Sequence, residues 1–211
     1  MAGFYTNRCH PPTGTTRAEE TYQGVGAIET IMRGHGLLLR TIIIYDLIGE
    51  RLAKGEKTDP ALVLKTTEVI HTYLQNFHEN MEERYIFKPM EDANSNAASI
   101  QELKIQHGTA YELTRRITDL AKAGKLNSEL QGYLGSFGKM YRYHSAWEDT
   151  VIFPAFDGLM SKKDLADLGG VLQQEEKKIL GTSGFASFVK DIAAVERQLG
   201  IYDPSKWTAK L

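Results

Sequence analysis

Two short segments of the chain pair a histidine with a glutamate four residues later. One reads FHENMEERYIF and contains His78 and Glu82; the other reads YHSAWEDTVIF and contains His144 and Glu148. Both run as an aromatic residue, a histidine, three residues, a glutamate and a second acid, so they form a short internal repeat. Side chains four residues apart share one face of a helix. Each pair can therefore present an imidazole and a carboxylate to one point.

Two further histidines lie in apolar helical stripes. His35 falls between Ile31 and Leu38, and His107 follows Leu103 by four residues. A lone helical histidine among apolar neighbours is usually a hydrogen-bonded core residue. Four imidazoles and two carboxylates together are different, because buried polar groups need partners and two divalent cations would satisfy all six. The predicted metal ligands are His35, His78, Glu82, His107, His144 and Glu148.

The ligand types narrow the choice of metal. Imidazole suits iron, zinc, copper or nickel, whereas carboxylates suit harder cations and can bridge two of them. Cys9 is the only cysteine, so the sequence has no thiolate cluster, and a structural zinc site is disfavoured. A mixed nitrogen and oxygen set favours two iron ions, while zinc and manganese stay open as alternatives.

Four long helices are predicted to position these side chains. Capping-box, proline and glycine signals mark their ends, and we expect Pro89 to end the second helix and Pro154 the fourth. Gly132, Gly135 and Gly138 in the fourth helix are expected to allow close approach of a neighbouring backbone. The predicted ranges, from one boundary signal to the next, are 16–55, 59–89, 99–124 and 127–153.

The fold class that follows is all-α, an up-and-down four-helix bundle with additional C-terminal helices. Alternating strand patterns are absent, and two more helical segments follow the fourth helix, from Ser161 to about Gly181 and in FASFVKDIAAVERQLG. We expect an irregular N-terminal arm over 1–16, the bundle over 17–156, and a helical extension over 157–211 packed on it.

Charge and hydropathy exclude several classes of protein. The net charge of -2 gives no electrostatic footprint for nucleic acid or an anionic membrane. The longest apolar candidate for a membrane span, TIIIYDLI, is interrupted by Asp46 and is too short to cross a bilayer. The first residues lack a signal-peptide pattern, so a cytoplasmic location is expected.

The order of the motifs resembles the hemerythrin-like (HHE cation-binding) family over about residues 25 to 156. It is His, His-x-x-x-Glu, His, His-x-x-x-Glu on successive helices, with IFKP and IFP after the paired motifs. The resemblance implies a bundle holding a non-heme diiron centre, oxo- or hydroxo-bridged, that binds or reacts with dioxygen. It also implies bridging by Glu82 and Glu148, with one iron on His35 and His78 and the other on His107 and His144.

Two positions depart from oxygen-carrying hemerythrins. Those proteins have a second histidine four residues after the one on the third helix, where this chain has Tyr111. They also have an aspartate five residues after the fourth-helix histidine, where this chain has Glu148 after four. The missing imidazole leaves an open coordination position or a phenolate ligand from Tyr111; the alternative is a core tyrosine with a hydrogen-bonded hydroxyl. An open position favours chemistry over reversible oxygen carriage.

Three other polar residues receive smaller roles. His71 is expected to be a satisfied core histidine, with a supporting or gating role near the metals as the alternative. Glu79 is expected to be solvated, because it lies about 100° around the helix from His78. His10, next to the lone cysteine, is expected to bind no metal.

The predicted function is binding of dioxygen, nitric oxide or peroxide at the diiron centre. A diiron peroxidase or oxidase and an iron storage or sensing protein are the alternatives, so the sequence leaves open whether the protein is an enzyme. A homodimer is conceivable, and no protein partner is indicated. A histidine phosphotransfer protein is disfavoured, because it needs an exposed histidine and the four here lie in apolar stripes. A ferritin-like bundle is disfavoured, because it uses the reverse order, Glu-x-x-His. Four apolar neighbours are expected to limit water access: Leu74, Met81, Phe137 and Trp147.

Overall fold

The computed structural model describes residues 26–209. Within that range the chain forms helices and no strand, which confirms the all-α prediction. The predicted arm over 1–16 and the predicted start of the first helix at residue 16 lie outside the described residues. Six helices are defined here as α1 (Ala27–Ala53), α2 (60–92), α3 (Ala97–Lys122), α4 (128–159), α5 (Lys162–Leu180) and α6 (Gly184–Leu199), followed by a short 3-10 turn, Pro204–Trp207.

Side-chain caps begin three of these helices at predicted residues. Asp59 accepts a hydrogen bond from the backbone N–H of Ala61, and Asn127 and Ser161 cap α4 and α5 in the same way. The prediction that α3 starts at Ser99 is wrong, because the helix begins at Ala97 after Asn96. Asn96 has a φ of 52°, a left-handed conformation that asparagine tolerates better than most residues.

The two prolines do not end their helices, so both predicted stops are wrong. Helix α2 continues past Pro89 to Asp92, and α4 continues past Pro154 to Leu159. Each proline follows a π-helical segment, Glu83–Phe87 in α2 and Glu148–Ile152 in α4.

The π turns explain how the helices accommodate proline. The N–H of Lys88 donates to the carbonyl of Glu83, and that of Phe153 donates to that of Glu148, each five residues back. Proline has no backbone N–H to donate. Directly after a π turn the hydrogen-bond pattern of the helix is already changing, so the missing N–H disrupts it less. The proline ring also meets a wider turn than in an α-helix, which relieves the usual clash with the carbonyl four residues back.

Helices α1 to α4 form an up-and-down four-helix bundle. Helix α1 packs against α4 and α2, and α3 packs against α2 and α4. Helices α5 and α6 lie on the outside of α1 and α2, and Arg40 in α1 donates to Glu196 in α6 at 2.8 Å from Nε to Oε1. The core is rich in aromatic side chains with less than 2% exposure: Tyr45, Tyr73, Phe77, Phe87, Phe137, Phe153 and Phe156.

The predicted domain boundary at 156 falls inside a helix. Because α4 runs on to Leu159, its last turn belongs to the stretch assigned to the extension. The division into a bundle and an extension stays a prediction. Between residues 26 and 209, no helix combines the length and the apolar character needed to cross a membrane.

Only one of the three α4 glycines has the predicted packing role. A Cβ added at Gly138 would lie 3.2 Å from Cγ2 of Ile42 in α1, whereas a Cβ at Gly132 or Gly135 would meet nothing within 4 Å. The close approach of α1 and α4 is therefore localised at Gly138.

Gly135→Ala and Gly138→Ala should differ in stability. Replacing a helical glycine in open space stabilises by about 1 kcal/mol, which for a chain of this size raises the Tm by about 2–4 °C. Gly138→Ala gains the same backbone term but must displace the fully buried Ile42, so its Tm should fall below that of Gly135→Ala. Thermal denaturation of both variants tests this, and equal Tm values would contradict the packing role of Gly138.

Candidate metal centre

The six residues predicted as metal ligands converge in the middle of the bundle. Each of the four bundle helices supplies one imidazole, and α2 and α4 each add one carboxylate one turn later. All six side chains are at most 4% exposed: His35, His78, Glu82, His107, His144 and Glu148. Their role as ligands stays a prediction, but their juxtaposition is a property of the structure.

Two groups of donor atoms form within this cluster, and in each group the atoms lie within 4.8 Å of one another. In the first, Glu82 Oε1 is 3.1 Å from His78 Nε2 and 3.5 Å from His35 Nε2. In the second, His144 Nε2 is 3.1 Å from both His107 Nε2 and Glu148 Oε2. Four Nε2 atoms thus point inward toward two carboxylates.

The carboxylates lie between the two groups. Glu82 presents Oε1 to His78 and Oε2 to His107, the latter at 3.7 Å from Nε2. Glu148 Oε2 is 3.2 Å from His35 Nε2 as well as 3.1 Å from His144 Nε2. Each carboxylate therefore contacts histidines of both groups, as a bridging ligand would.

The oxygens of these carboxylates lack hydrogen-bond partners. Both side-chain oxygens of Glu82 and both of Glu148 are buried without a properly oriented donor. Burial raises the pKa of Glu82, but the nearby His78 and His35 lower it more, and the net pKa lies well below its usual range. Two buried anions without oriented donors require compensating positive charge. Cations held between the imidazoles would supply it, so the residues fit a metal site.

Comparison with known proteins agrees with this geometry. The family described as the Hemerythrin HHE cation binding domain matches residues 26–156. The chain belongs to this family. Uncharacterized proteins of Mycobacterium bovis and Mycobacterium tuberculosis are 30% identical to it over 206 residues, which cover 94% of this chain and 81% of theirs. No solved structure gives a significant match. Membership in the HHE family implies metal binding, and the cluster is the place where suitable donors converge.

Two of the histidines form hydrogen bonds with acids that had no predicted role. His35 Nδ1 is 2.8 Å from Asp149 Oδ1, and His107 Nδ1 is 2.8 Å from Glu83 Oε1. Burial lowers the pKa of His107, but the bond with Glu83 and nearby carboxylates raise it to about 9. The available signal was the repeat itself, because Glu83 and Asp149 are the second acids that directly follow its glutamates. Each acid holds a histidine of a neighbouring helix.

The remaining two histidines are held differently. His144 Nδ1 is 2.9 Å from the amide oxygen Oε1 of Gln106, which no sequence pattern marked. His78 Nδ1 is buried without a partner. Its ring rests on Gly34 in α1, where an added Cβ would lie 2.3 Å from Nδ1. Glycine at position 34 therefore makes room for the imidazole.

Tyr111 does not join the cluster. Its side chain is 52% exposed, and its ring packs against His71 with 5.7 Å between centroids. The inward stripe of α3 runs through His107, Ala110 and Thr114, so position 111 points about 100° away from it. The proposed ligand role of Tyr111, and its alternative as a core residue, are both wrong in this structure.

Glu79 was predicted to be solvated, and that prediction is wrong. It is 7% exposed and accepts a hydrogen bond from the hydroxyl of Tyr141. Burial raises the pKa of Glu79, opposed by His107 and by the bond from Tyr141, and the net pKa lies above its usual value. Glu79 ends the π-helical segment Ile70–Glu79, whose wider turns change which residues face inward. A period of 3.6 residues could not reveal this.

Removing the charge of the outer acids should weaken metal binding. Glu83→Gln and Asp149→Asn keep the size of the side chain but weaken its hold on the imidazole, and loss of such a partner typically lowers metal affinity by about 10- to 100-fold. Competition with a chromophoric chelator measures this. Glu112→Gln is the matched control, because the Glu112 side chain is 44% exposed and pairs with Arg115 and Arg116 rather than with a histidine of the cluster. Unchanged affinity in both variants would contradict the role of the outer acids.

Gly34→Ala should disrupt the position of His78. The added methyl overlaps the buried ring, and overpacking of this kind typically costs about 1–3 kcal/mol. We expect a lower Tm and fewer bound metal ions per chain. Gly36→Ala, two residues further along the same helix, meets nothing within 4 Å and should gain about 1 kcal/mol of helix stability with full metal content. Full metal content in Gly34→Ala would refute the packing argument.

Proposed function

We propose that the protein is a non-heme diiron protein that binds dioxygen or a related small ligand, nitric oxide or peroxide. The observation that supports this most is the pair of shared carboxylates: Glu82 and Glu148 each contact histidines of both groups and have no other partner. A single cation would not need two carboxylates that both span two sets of imidazoles. The arrangement is suited to two ions.

The donor set favours iron over other metals. The buried donors of the cluster are imidazole nitrogens and carboxylate oxygens, without a thiolate. This mixed set suits an ion that cycles between a ferrous and a ferric state. When bound, the two irons would supply the electrons for binding or reducing the small ligand. His35, His78 and Glu82 would hold one of them.

The residues around the cluster serve to exclude water. Of the four residues expected to limit water access, Leu74, Met81 and Phe137 are each at most 3% exposed. Trp147 is only partly buried and stacks on the exposed Tyr143. His35 and His107 also stack on the rings of Phe153 and Phe87, at 5.7 and 5.8 Å between centroids. A dry surrounding strengthens the attraction between the carboxylates and the cations.

A diiron peroxidase or oxidase is the second candidate. Helix α3 directs only His107 into the cluster, and the next inward position is Ala110, which carries no donor. An ion held by His107 and His144 would have one histidine ligand fewer than in oxygen-carrying hemerythrins, which leaves a position that a substrate could occupy. The buried Glu79–Tyr141 pair adjoins this half of the cluster. Turnover of peroxide with an electron donor distinguishes an enzyme from a protein that only binds the ligand. An iron storage or sensing protein would show neither turnover nor reversible ligand binding.

Metal analysis of the purified protein tests the proposal. We expect two irons per chain and a new near-ultraviolet or visible band when air reaches the reduced protein. Glu148→Gln should lose at least one iron, because a neutral amide cannot replace a bridging anion. The metal-free protein should melt lower, since a ligand at 100 times its Kd stabilises the fold by about 2.7 kcal/mol. Chains without metal, or with zinc that iron cannot displace, would refute the diiron proposal.

A further inference from the structure

A row of polar side chains runs along α2 from the surface toward the cluster. His71, Gln75 and Glu79 follow one another at intervals of four residues and all lie in the π-helical segment. His71 is exposed, so the prediction of a core histidine is wrong. Gln75 is 5% and Glu79 7% exposed. Most of the bundle interior is apolar, so buried polar groups in line with an exposed one need an explanation.

Helix α3 completes the wall opposite this row. The amide Nε2 of Gln75 donates to Thr114 Oγ1 at 3.0 Å, and His71 Nδ1 lies 3.4 Å from Gln75 Oε1. Between Thr114 and His107, the inward residue of α3 is Ala110, which contributes only a methyl group. The seam between α2 and α3 thus combines hydrogen-bonding groups with a small side chain.

The row has an open end and a closed end. At the outer end, a surface pocket of about 430 Å³ is lined by His71, Tyr111 and Thr114 among others. At the inner end, Glu79 holds the hydroxyl of Tyr141 beside the cluster. Thr114 lines the outer pocket and also bonds Gln75. Polar side chains therefore run from the pocket inward through Thr114 and Gln75, and Glu79 follows one turn later beside the cluster.

We propose that this seam is the access route by which a small, neutral, hydrogen-bonding ligand of the hydrogen peroxide class reaches the metal centre from the His71–Tyr111 pocket. This inference rests on the proposed function. Peroxide loses hydrogen bonds to water when it enters a protein, and the Gln75 amide and Thr114 hydroxyl can replace them. Dioxygen and nitric oxide are nearly apolar and gain nothing from such groups. Anions are disfavoured by the nearby carboxylates.

A double variant removes the polar lining without leaving an unpaired group. Gln75→Leu with Thr114→Val replaces both hydrogen-bonding partners by side chains of similar shape, which is often close to neutral for stability. Thr66→Val is the matched control: Thr66 is a fully buried threonine of α2 whose hydroxyl bonds the carbonyl of Leu62, outside the seam. Thr114→Val alone serves the test should the double variant fold poorly.

Stopped-flow mixing of the reduced, metal-loaded proteins with hydrogen peroxide or nitric oxide gives the decisive comparison. The seam variant should react with peroxide about tenfold more slowly, a change equal to about 1.4 kcal/mol in the barrier. Its reaction with nitric oxide should stay within about twofold of the control. Unchanged peroxide rates, or equal slowing with both ligands, would overturn the inference.

A structural readout tests the same route without any reaction. In a high-resolution crystal structure, ordered waters should lie between Gln75 and Glu79 in the unaltered protein and be absent from the double variant, because a passage lined by hydrogen-bonding groups holds water. A dry seam in the unaltered protein would overturn the inference. Metal content separates this failure from that of the proposed function: two irons with a dry seam refute only the route, whereas no iron refutes the function.

Discussion

The carboxylates of Glu82 and Glu148 each contact histidines of both donor groups, in a part of the bundle that solvent does not reach. Their four oxygens have no oriented hydrogen-bond donor, so the free energy of burying them must be offset by positive charge. Four imidazoles from four helices surround them. Protons or metal ions can supply this charge, and membership in the HHE family favours metal ions.

The backbone adapts to place these groups. Ligand-bearing parts of α2 and α4 include or adjoin π-helical segments, and each helix then continues through a proline. π turns are often found at functional sites, and here Glu148 opens one while Glu79 closes another. In α1, glycine at position 34 lets the ring of His78 lie directly against the helix backbone. Local departures from ideal helix geometry therefore cluster around the site.

The two halves of the site are similar but unequal. Each repeat supplies a histidine, a shared glutamate and an outer acid, and the acid bonds a histidine of the neighbouring helix. The two halves differ in the partners of His78 and His144, because His144 Nδ1 contacts Gln106 whereas His78 Nδ1 has no partner. They also differ at the seam between α2 and α3, where Ala110 and Glu79 lie. Both halves are buried, and the half with His107 lies beside Glu79 and the proposed access route.

The sequence alone determined the helical class, most helix starts and the six residues that converge, because helical periodicity and a four-residue spacing are local properties. It did not reveal that Glu79 turns inward, that Tyr111 turns outward, or that Pro89 and Pro154 lie within helices. The inward position of Glu79 and the continuation of the helices through the prolines depend on π turns, which shift the inward face without changing composition. Tyr111 lies in the regular helix α3, one residue and about 100° from the inward Ala110. The partners of the imidazoles, Glu83, Asp149 and Gln106, were also decided by the tertiary structure. Each lies on a different helix from the histidine it holds, and only the packing of helices brings such residues within hydrogen-bond distance.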